Sequence, residues 1–160
     1  MKNKTTIKIV RNYLLPVAIA VLLYICTITI FNPYIVSGNS MNPTLNDGDI
    51  LICEDLPSKK RPIEYGDIVI YKKDWKNVVK RVVALPNDTV DFKDGVLYVN
   101  NSVSPYQFEE IEDIGILHYP LTLGSNEYFC MGDNRNHSRD SRDIGVITPD
   151  MLKNRVVKKL

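Results

Sequence analysis

One serine has the local setting of a nucleophile. Ser40 lies in a segment rich in Gly, Ser, Asn and Pro, SGNSMNPTL at residues 37–45, where a tight bend would expose its hydroxyl. A serine hydroxyl attacks a carbonyl carbon efficiently only when a neighbouring base takes its proton. Taken alone, Ser40 is an ordinary loop serine, so the case for catalysis depends on finding that base.

The strongest candidate for the base is a lysine in a strand-like segment. Lys80 and Arg81 are adjacent in NVVKRVV at residues 77–83, and strand alternation places their side chains on opposite faces. In a strand buried on one side, one of the two cations must point toward apolar surroundings. Burial lowers the pKa of a lysine, whereas an arginine stays charged. The alternative is an edge strand whose Lys80 extends into solvent, and the segment alone does not decide between them.

A third polar segment supplies groups that could orient such a pair. GDNRNHSRDSR at residues 132–142 follows an apolar, strand-like run and contains hydroxyl, carboxylate and guanidinium groups. Its hydroxyls can hold an amine in place, and its carboxylates can pair with Arg81 or Arg142. A solvated turn without a chemical role is the alternative interpretation.

Length, composition and charge limit the possible classes of protein. The chain has 160 residues, 44% hydrophobic and 24% charged, which indicates one folded domain and excludes a disordered or collagen-like chain. Its formal net charge of +1 argues against a nucleic-acid binder, which carries a basic excess. His118 and His137 are far apart, and no spacing is typical of a metal site, so we expect no cofactor. Cys53 and Cys130 are expected to be buried thiols rather than a disulfide.

The N-terminal region has the pattern of a membrane anchor. Residues 13–31 carry no charge and would span about 28 Å as a helix, close to one hydrocarbon core. A cleaved signal peptide is the alternative, but NPYIV at residues 32–36 contains no small-x-small cleavage site. The pattern predicts a cytoplasmic basic N-terminus at 1–12, a transmembrane anchor at 13–31 and an extracytoplasmic domain at 32–160. The basic residues before the run are Lys2, Lys4, Lys8 and Arg11.

Past residue 31 the apolar pattern is that of short strands. Residues 89–92 and 96–99 flank an Asp-Gly turn and predict a hairpin. The more polar residues 100–125 predict a small cap or long loop, and a last helical turn is expected near residues 150–153. The fold class is therefore mainly β, an antiparallel β-sheet domain with one N-terminal transmembrane helix. Further strand-like runs lie at residues 49–53, 67–71, 78–85 and 128–131.

Four motifs, taken in order, resemble those of the type I signal peptidases, also called leader peptidases. The motifs are Ser-Met-x-Pro-Thr-Leu from Ser40, Gly-Asp-Ile-Val from Gly66, Lys-Arg-Val-Val from Lys80 and Gly-Asp-Asn-Arg-x-x-Ser-x-Asp-Ser-Arg from Gly132. The resemblance runs to about Gly145, and the short polar insert is similar to that of the compact Gram-positive members. It implies a signal-peptidase-like catalytic domain and a membrane-bound serine endopeptidase with a Ser-Lys dyad. Such an enzyme removes N-terminal signal peptides from secreted preproteins after small residues.

The resemblance also implies roles for individual residues. Ser40 looks like the nucleophile, and its backbone N–H looks like one donor to the oxyanion. Lys80 looks like the general base, and Ser138 resembles the hydroxyl that holds the lysine amine in place. Two carboxylate–guanidinium pairs are expected to support the site: Asp133 with Arg81, and Asp140 with Arg142.

The same resemblance implies where a substrate binds. Met41 and Leu45 resemble residues that shape a small pocket for alanine-like side chains. Some members have a serine two residues before the nucleophile as a second oxyanion donor, and because this chain has Gly38 there, the second donor is not identified. Two strand edges, at residues 35–37 and 77–79, resemble the pair between which a substrate lies extended. These edges include Ile35, Val36, Val78 and Val79.

Three other interpretations explain less of the sequence. A triad of Ser40, His137 and Asp140 would use a histidine at a position that the resembled motif leaves variable. A self-cleaving repressor-type protease shares the Ser-Lys dyad but has a DNA-binding domain where this chain has an apolar run. A non-enzymatic anchored β module leaves the coincidence of Ser40, Lys80 and Ser138 unexplained.

The expected partners follow from the resemblance and the apolar run. They are secretory preproteins and membrane lipid, with the secretion translocon as a further candidate and no nucleic acid. The expected location is the cell membrane, with a single pass.

Overall fold

The N-terminal region is helical. The computed structural model describes residues 10–56 and 61–160, so Lys2, Lys4 and Lys8 lie outside the described residues. A π-helical turn at Val10–Leu14 leads into helix α1 at Leu15–Phe31. Within the described ranges, no helix combines the length and the apolar character needed to cross a membrane.

Past α1, the described chain forms two antiparallel sheets, a 3-10 turn at Arg135–His137 and a short helix, α2, at Ser141–Ile144. The first sheet has six strands in the order β1-β2-β10-β3-β4-β9, and the second has four in the order β7-β6-β5-β8. The expectation of a mainly antiparallel β fold is confirmed. The strands are β1 (Pro33–Ile35), β2 (Ile50–Asp55), β3 (Ile68–Lys73), β4 (Lys76–Ala84), β5 (Thr89–Lys93), β6 (Val96–Val99), β7 (Ser102–Val103), β8 (Leu121–Thr122), β9 (Phe129–Met131) and β10 (Leu152–Lys159).

Two local predictions have different outcomes. The hairpin around the Asp-Gly turn is confirmed, because β5 and β6 pair with Lys93 opposite Val96. The helical turn expected near residues 150–153 is wrong beyond its first residues. A turn does close where Met151 N donates to Thr148 O at 3.0 Å, but the chain becomes strand β10 at Leu152. Hydrogen bonds from both β2 and β3 hold β10 extended in the centre of the first sheet.

The order of the first sheet sets the direction of the strands that carry the site. Each of the four neighbouring pairs from β1 through β2, β10 and β3 to β4 is antiparallel, so β1 and β4 run in the same direction. β1 starts directly after α1, and β4 starts at the two-residue turn that follows β3. Both strands therefore begin at the same end of the sheet and run away from it. This end is called here the helix edge, because α1 directly precedes β1 there.

Among the described residues, the core has three clusters of buried apolar side chains. Cys53 and Cys130 lie in different clusters, and both are buried free thiols, as expected. Burial raises the pKa of Cys53 to about 11, so its thiol stays protonated at neutral pH. The cluster nearest the N-terminal strands is formed by Val36, Met41, Leu45, Leu51, Cys53 and Ile70.

Candidate active site

The segment that carries Ser40 is held by the core and by its own backbone. Met41 and Leu45 are buried, and Leu45 N donates to Met41 O at 2.9 Å, which closes a turn just after Ser40. Gly38 N donates to Asp47 Oδ1 at 2.7 Å on the other side. A surface loop anchored by two core side chains presents its hydroxyl in one defined position.

Lys80 meets the Ser40 hydroxyl. Its Nζ lies 2.7 Å from Ser40 Oγ and donates to the backbone oxygen of Val79 at 2.9 Å. The lysine is only 3% exposed. Burial lowers its pKa below the ordinary 10.5, although the negative charges of Asp140 and Asp133 oppose that shift. A buried lysine with a lowered pKa, in contact with a serine hydroxyl, is the arrangement that lets an amine act as a base.

Arg81 is buried as well, which the alternation argument did not anticipate. It is on the other face of β4, where its guanidinium donates to both carboxylate oxygens of Asp133, at 2.8 and 2.7 Å. It also donates to Gly66 O at 2.9 Å and to Thr44 Oγ1 at 3.2 Å. Arg81 thus links the four motifs in one place, which explains why an arginine follows the lysine. Two cations can be buried side by side in one strand because the second donates four hydrogen bonds, two of them to a carboxylate.

Asp140 is the centre of the second ion pair. Arg142 donates to its carboxylate through Nε at 2.9 Å and Nη2 at 3.0 Å. Gly132 N donates to Asp140 Oδ2 at 3.0 Å, and the Ser138 hydroxyl donates to the same oxygen at 2.8 Å. No hydrogen bond joins Ser138 to Lys80 within the part of the chain described here. The expected direct contact between that hydroxyl and the amine is replaced by a path through Asp140, whose charge acts on Lys80.

Residues 132–142 also contact the segment that carries Ser40 directly. Asn134 N donates to Ser40 O at 3.2 Å, and its Nδ2 donates to Asn39 O at 3.1 Å. A Cβ on Gly132 would lie 2.4 Å from Ser40 O and 2.2 Å from Ser138 Oγ, closer than any side chain allows. Only glycine permits this approach of the two backbones. Sequence reasoning assigned no role to Gly132 or Asn134, and their signal was their place in the long Gly-Asp-Asn-Arg motif.

A cavity of about 210 Å³ opens beside Ser40 and Lys80. The four residues expected on the substrate edges all line it, from β1 and the residue after it on one side and from β4 on the other. Met41 and Leu45 do not line it; they pack in the cluster underneath with Leu51 and Ile70, which do. Sequence reasoning missed Leu51 and Ile70. Both belong to recognised apolar runs, but only strand register places them in the same cavity as Ser40. The lining is Tyr34, Ile35, Val36, Ser37, Ser40, Leu51, Ile70, Lys76, Asn77, Val78, Val79 and Lys80.

His137 does not join the site. It is exposed, and its Nδ1 lies 3.2 Å from Asn134 Oδ1. Asp140, the third member of the alternative triad, is engaged by Arg142 and Ser138 instead. The geometry therefore disfavours a serine–histidine–aspartate arrangement.

Comparison with known proteins points to one family. The family model described as signal peptidase, peptidase S26, matches residues 9–159. A signal peptidase I of Bacillus licheniformis is 42% identical over 130 residues, which cover 74% of this chain and 70% of the relative. Signal peptidase I U of Bacillus subtilis (strain 168) is 31% identical over 161 residues, covering 94% and 86%. A crystal structure of a signal peptidase I from Enterococcus faecalis V583 covers 61% of this chain and 98% of its own, with 27% identity and a TM-score of 0.49.

The family model covers nearly the whole chain, and both of these relatives exceed 30% identity over most of it. The chain therefore belongs to the signal peptidase family, peptidase S26, and is a serine endopeptidase.

Proposed function

We propose that this enzyme removes N-terminal signal peptides from secretory preproteins after small residues, with Ser40 as nucleophile and Lys80 as general base. The observation that carries the proposal is the 2.7 Å contact between Ser40 Oγ and the amine of a buried lysine. Burial lowers the pKa of Lys80 below its ordinary value, which raises the fraction of neutral amine that can act as a base.

The chemistry follows from this pair. The neutral amine of Lys80 takes the proton of Ser40 Oγ, which bonds to the scissile carbonyl carbon. The carbon–nitrogen bond then breaks, the ammonium of Lys80 protonates the departing amine, and the signal peptide stays on Ser40 as an ester. A water molecule, deprotonated by Lys80, attacks that ester; its carbon–oxygen bond breaks, and Ser40 recovers its proton. The backbone N–H of Ser40 donates to the oxyanion in both halves of the reaction.

Ser138 acts on the base through Asp140. Its hydroxyl donates to the carboxylate whose charge favours the ammonium form of Lys80. Each hydrogen bond accepted by that carboxylate weakens its pull on the lysine. Ser138 is therefore a positioning residue that tunes the Lys80 amine, with Arg142 holding Asp140 in place.

The cavity supports the preference for small side chains. β1 and β4 run in the same direction along its two sides, so an extended peptide can lie between their edges. Leu51 and Ile70 form an apolar floor, with Met41 and Leu45 filling the space below. Such a floor limits how deep a substrate side chain can reach, which favours an alanine-like residue over a larger one.

The apolar run at residues 13–31 is proposed to anchor the enzyme in the cell membrane. Its supports are the absence of charge over the run and the basic residues that precede it. The basic N-terminus at 1–12 then lies in the cytoplasm, and residues 32–160 form the extracytoplasmic catalytic domain, with residues 100–125 as its cap. Membrane lipid is a partner in this arrangement, and the secretion translocon is a further candidate.

The test is cleavage of a secretory preprotein by the full-length chain in detergent, with N-terminal sequencing of the product. Ser40→Ala, Lys80→Ala and Lys80→Arg should each lower kcat/KM roughly a thousandfold or more, the last because arginine does not release its proton. Ser125→Ala and Lys158→Arg replace an exposed serine and an exposed lysine and serve as matched controls. Retained cleavage by Lys80→Arg would overturn the assignment of the base.

A further inference from the structure

The tip of the β3–β4 hairpin has a strained backbone and an exposed tryptophan, and both features are unfavourable for stability. Lys73 pairs with Lys76, so Asp74 and Trp75 are the two turn residues, and both have left-handed backbones, with φ of 46° and 66°. Such turns favour Asn-Gly, because a bulky residue there costs about 1–2 kcal/mol. Trp75 is also 91% exposed. A strained, exposed tryptophan contributes nothing to the core, and its presence calls for a binding role.

The tip is also basic. Lys72, Lys73 and Lys76 surround Trp75, and Asp74 is the only acidic residue in the turn. Lys72 Nζ lies 4.8 Å from the centre of the Trp75 ring. None of the three lysines forms an ion pair with any residue in the ranges 10–56 and 61–160. Their charges are therefore available to an anionic surface.

The position of the tip selects the surface. β4 begins at the tip, and β1 begins at the same helix edge directly after α1. Lys76 lines the cavity that also contains Ser40 and Lys80. If α1 enters a bilayer, as proposed above, the hairpin tip and the Lys76 end of the cavity face that bilayer.

We propose that this tip, Lys72, Lys73, Trp75 and Lys76, docks on the anionic phosphate headgroups of the membrane. Tryptophan favours the interface because its ring is apolar and its N–H is polar, and lysines near an anionic leaflet are attracted to it. The inference rests on the proposed membrane attachment and adds a second contact, made by the catalytic domain itself.

Docking would set the height of the nucleophile above the lipid. Lys80 is four residues along β4 from Lys76, which corresponds to about 13 Å in a strand. An extended substrate running from Ser40 along β4 reaches the helix edge after about the same number of residues. The apolar segment of a preprotein can then stay in the bilayer while its cleavage site lies in the cavity.

The chain has one tryptophan, so its fluorescence reports on the tip alone. The full-length protein is reconstituted in vesicles of neutral lipid, or of neutral and anionic phospholipid, each with a brominated acyl-chain lipid as quencher. We expect a blue shift and loss of Trp75 emission in the anionic vesicles, and less of both in neutral vesicles or high salt. Lys72→Gln with Lys73→Gln should weaken docking about thirtyfold, at about 1 kcal/mol per lysine.

Emission that remains water-like, quenched by iodide and not by brominated lipid, would overturn the proposal. Co-flotation of the protein with the vesicles in that case shows that the anchor is intact and only the docking has failed. Trp75 emission that does not change with lipid but shifts to the blue on addition of polyglutamate would identify an acidic protein surface as the partner. That result would also contradict docking on lipid.

Activity gives an independent readout. The Lys72→Gln/Lys73→Gln variant should cleave a soluble peptide at the normal rate, because neither lysine lines the cavity. It should cleave a preprotein embedded in the same anionic vesicles more slowly. Equal rates of preprotein cleavage by the variant and the unmodified enzyme would show that docking has no part in catalysis. Loss of cleavage of the soluble peptide by the unmodified enzyme would instead count against the proposed function.

Discussion

At the scale of single residues, the site depends on a lysine that the fold holds in an unfavourable place. Lys80 is buried, and its ammonium form is disfavoured by desolvation. Asp140 and Asp133 stabilise that form in part, because their negative charges raise the lysine's pKa. The balance leaves the pKa lowered, so the lysine can be neutral at a pH where a surface lysine is charged. That balance makes two predictions about Lys80 and one about Ser138.

Activity should rise with pH. Only the neutral amine can take the Ser40 proton, so kcat/KM should increase as pH passes the lowered pKa of Lys80 and level off below the ordinary value of 10.5. A pH profile with a soluble peptide measures this. A rise centred at or above 10.5 would contradict a buried, desolvated base, and a limb that follows a histidine pKa would point to His137.

Removal of the buried amine should stabilise the fold while it abolishes activity. Lys80→Met replaces a disfavoured cation with an apolar side chain of similar length, which should add about 1–2 kcal/mol at neutral pH. The unfolded chain binds more protons than the folded one between the lowered pKa and 10.5, so the unmodified protein gains stability as pH rises through that window. The advantage of Lys80→Met should shrink over the same window. Thermal unfolding at several pH values checks this, and a constant or growing advantage would contradict it.

Ser138→Ala should change the base rather than the binding of substrate. Loss of the hydroxyl removes one hydrogen bond from Asp140 and leaves its charge more effective on Lys80. We expect kcat to fall about ten- to a hundredfold, KM to change little and the pH profile to move to higher pH. An unchanged pH profile would mean that Ser138 acts only in the structure of the loop.

At the scale of elements, two loops and a strand pack closely against one another. Arg81, Asn134 and the glycine at position 132 join three parts of the chain: the segment that carries Ser40, the loop at residues 132–142 and β4. Packing of this kind keeps the reacting atoms in place more strictly than hydrogen bonds alone, because backbone atoms cannot move aside as a side chain can.

Gly132→Ala should therefore displace Ser40, the proposed nucleophile. The new methyl group would meet Ser40 O and Ser138 Oγ, and a shift of about 1 Å at the reacting atoms can cost about a hundredfold in kcat. Gly124→Ala is the matched control, because its nearest neighbours are side-chain atoms of Glu127. Peptide cleavage and melting temperature together make the test. Full activity of Gly132→Ala would show that the loop adapts and that its close contact is not needed.

At the scale of the whole molecule, the site is tied closely to the N-terminal helix. Phe31 ends α1 and Pro33 begins β1, and the Asn32 side chain bonds to Asp55 in β2. Nine positions separate Phe31 from Ser40, which limits their separation to roughly 32 Å even in an extended chain. If α1 is an anchor, the short connection keeps the nucleophile near the membrane surface.

A flexible Gly/Ser insertion after Phe31 tests that connection. It should leave cleavage of a soluble peptide unchanged, because β1 and its contacts are intact. Cleavage of a bilayer-embedded preprotein should slow as the insertion lengthens, because the effective concentration of the site at the membrane falls. Equal rates at every length would show that the tether has no part in the mechanism.

The sequence alone was informative about many features that depend on near neighbours in the chain, although it wrongly predicted a helical turn near residues 150–153. Ser40, Lys80 and the ion pairs of residues 132–142 were predicted from motifs, and most strands were predicted from short apolar runs bounded by Gly, Pro, Asn and Asp. The β5–β6 hairpin followed from one Asp-Gly turn. These features depend on local backbone preference and on residue types, which a sequence displays directly.

Only the tertiary structure decided which of these elements meet. Strand order and register determine three features of the site. These are the central place of β10, the burial of both Lys80 and Arg81, and the Ser138–Asp140 hydrogen bond. The cavity floor depends on strand order and register too, because Leu51 and Ile70 come from strands that are not neighbours in the sheet. Long-range pairing is set by the packing of many side chains at once, and no single segment encodes it. That is why the residue types of the site could be predicted from the sequence, while their contacts with one another could not.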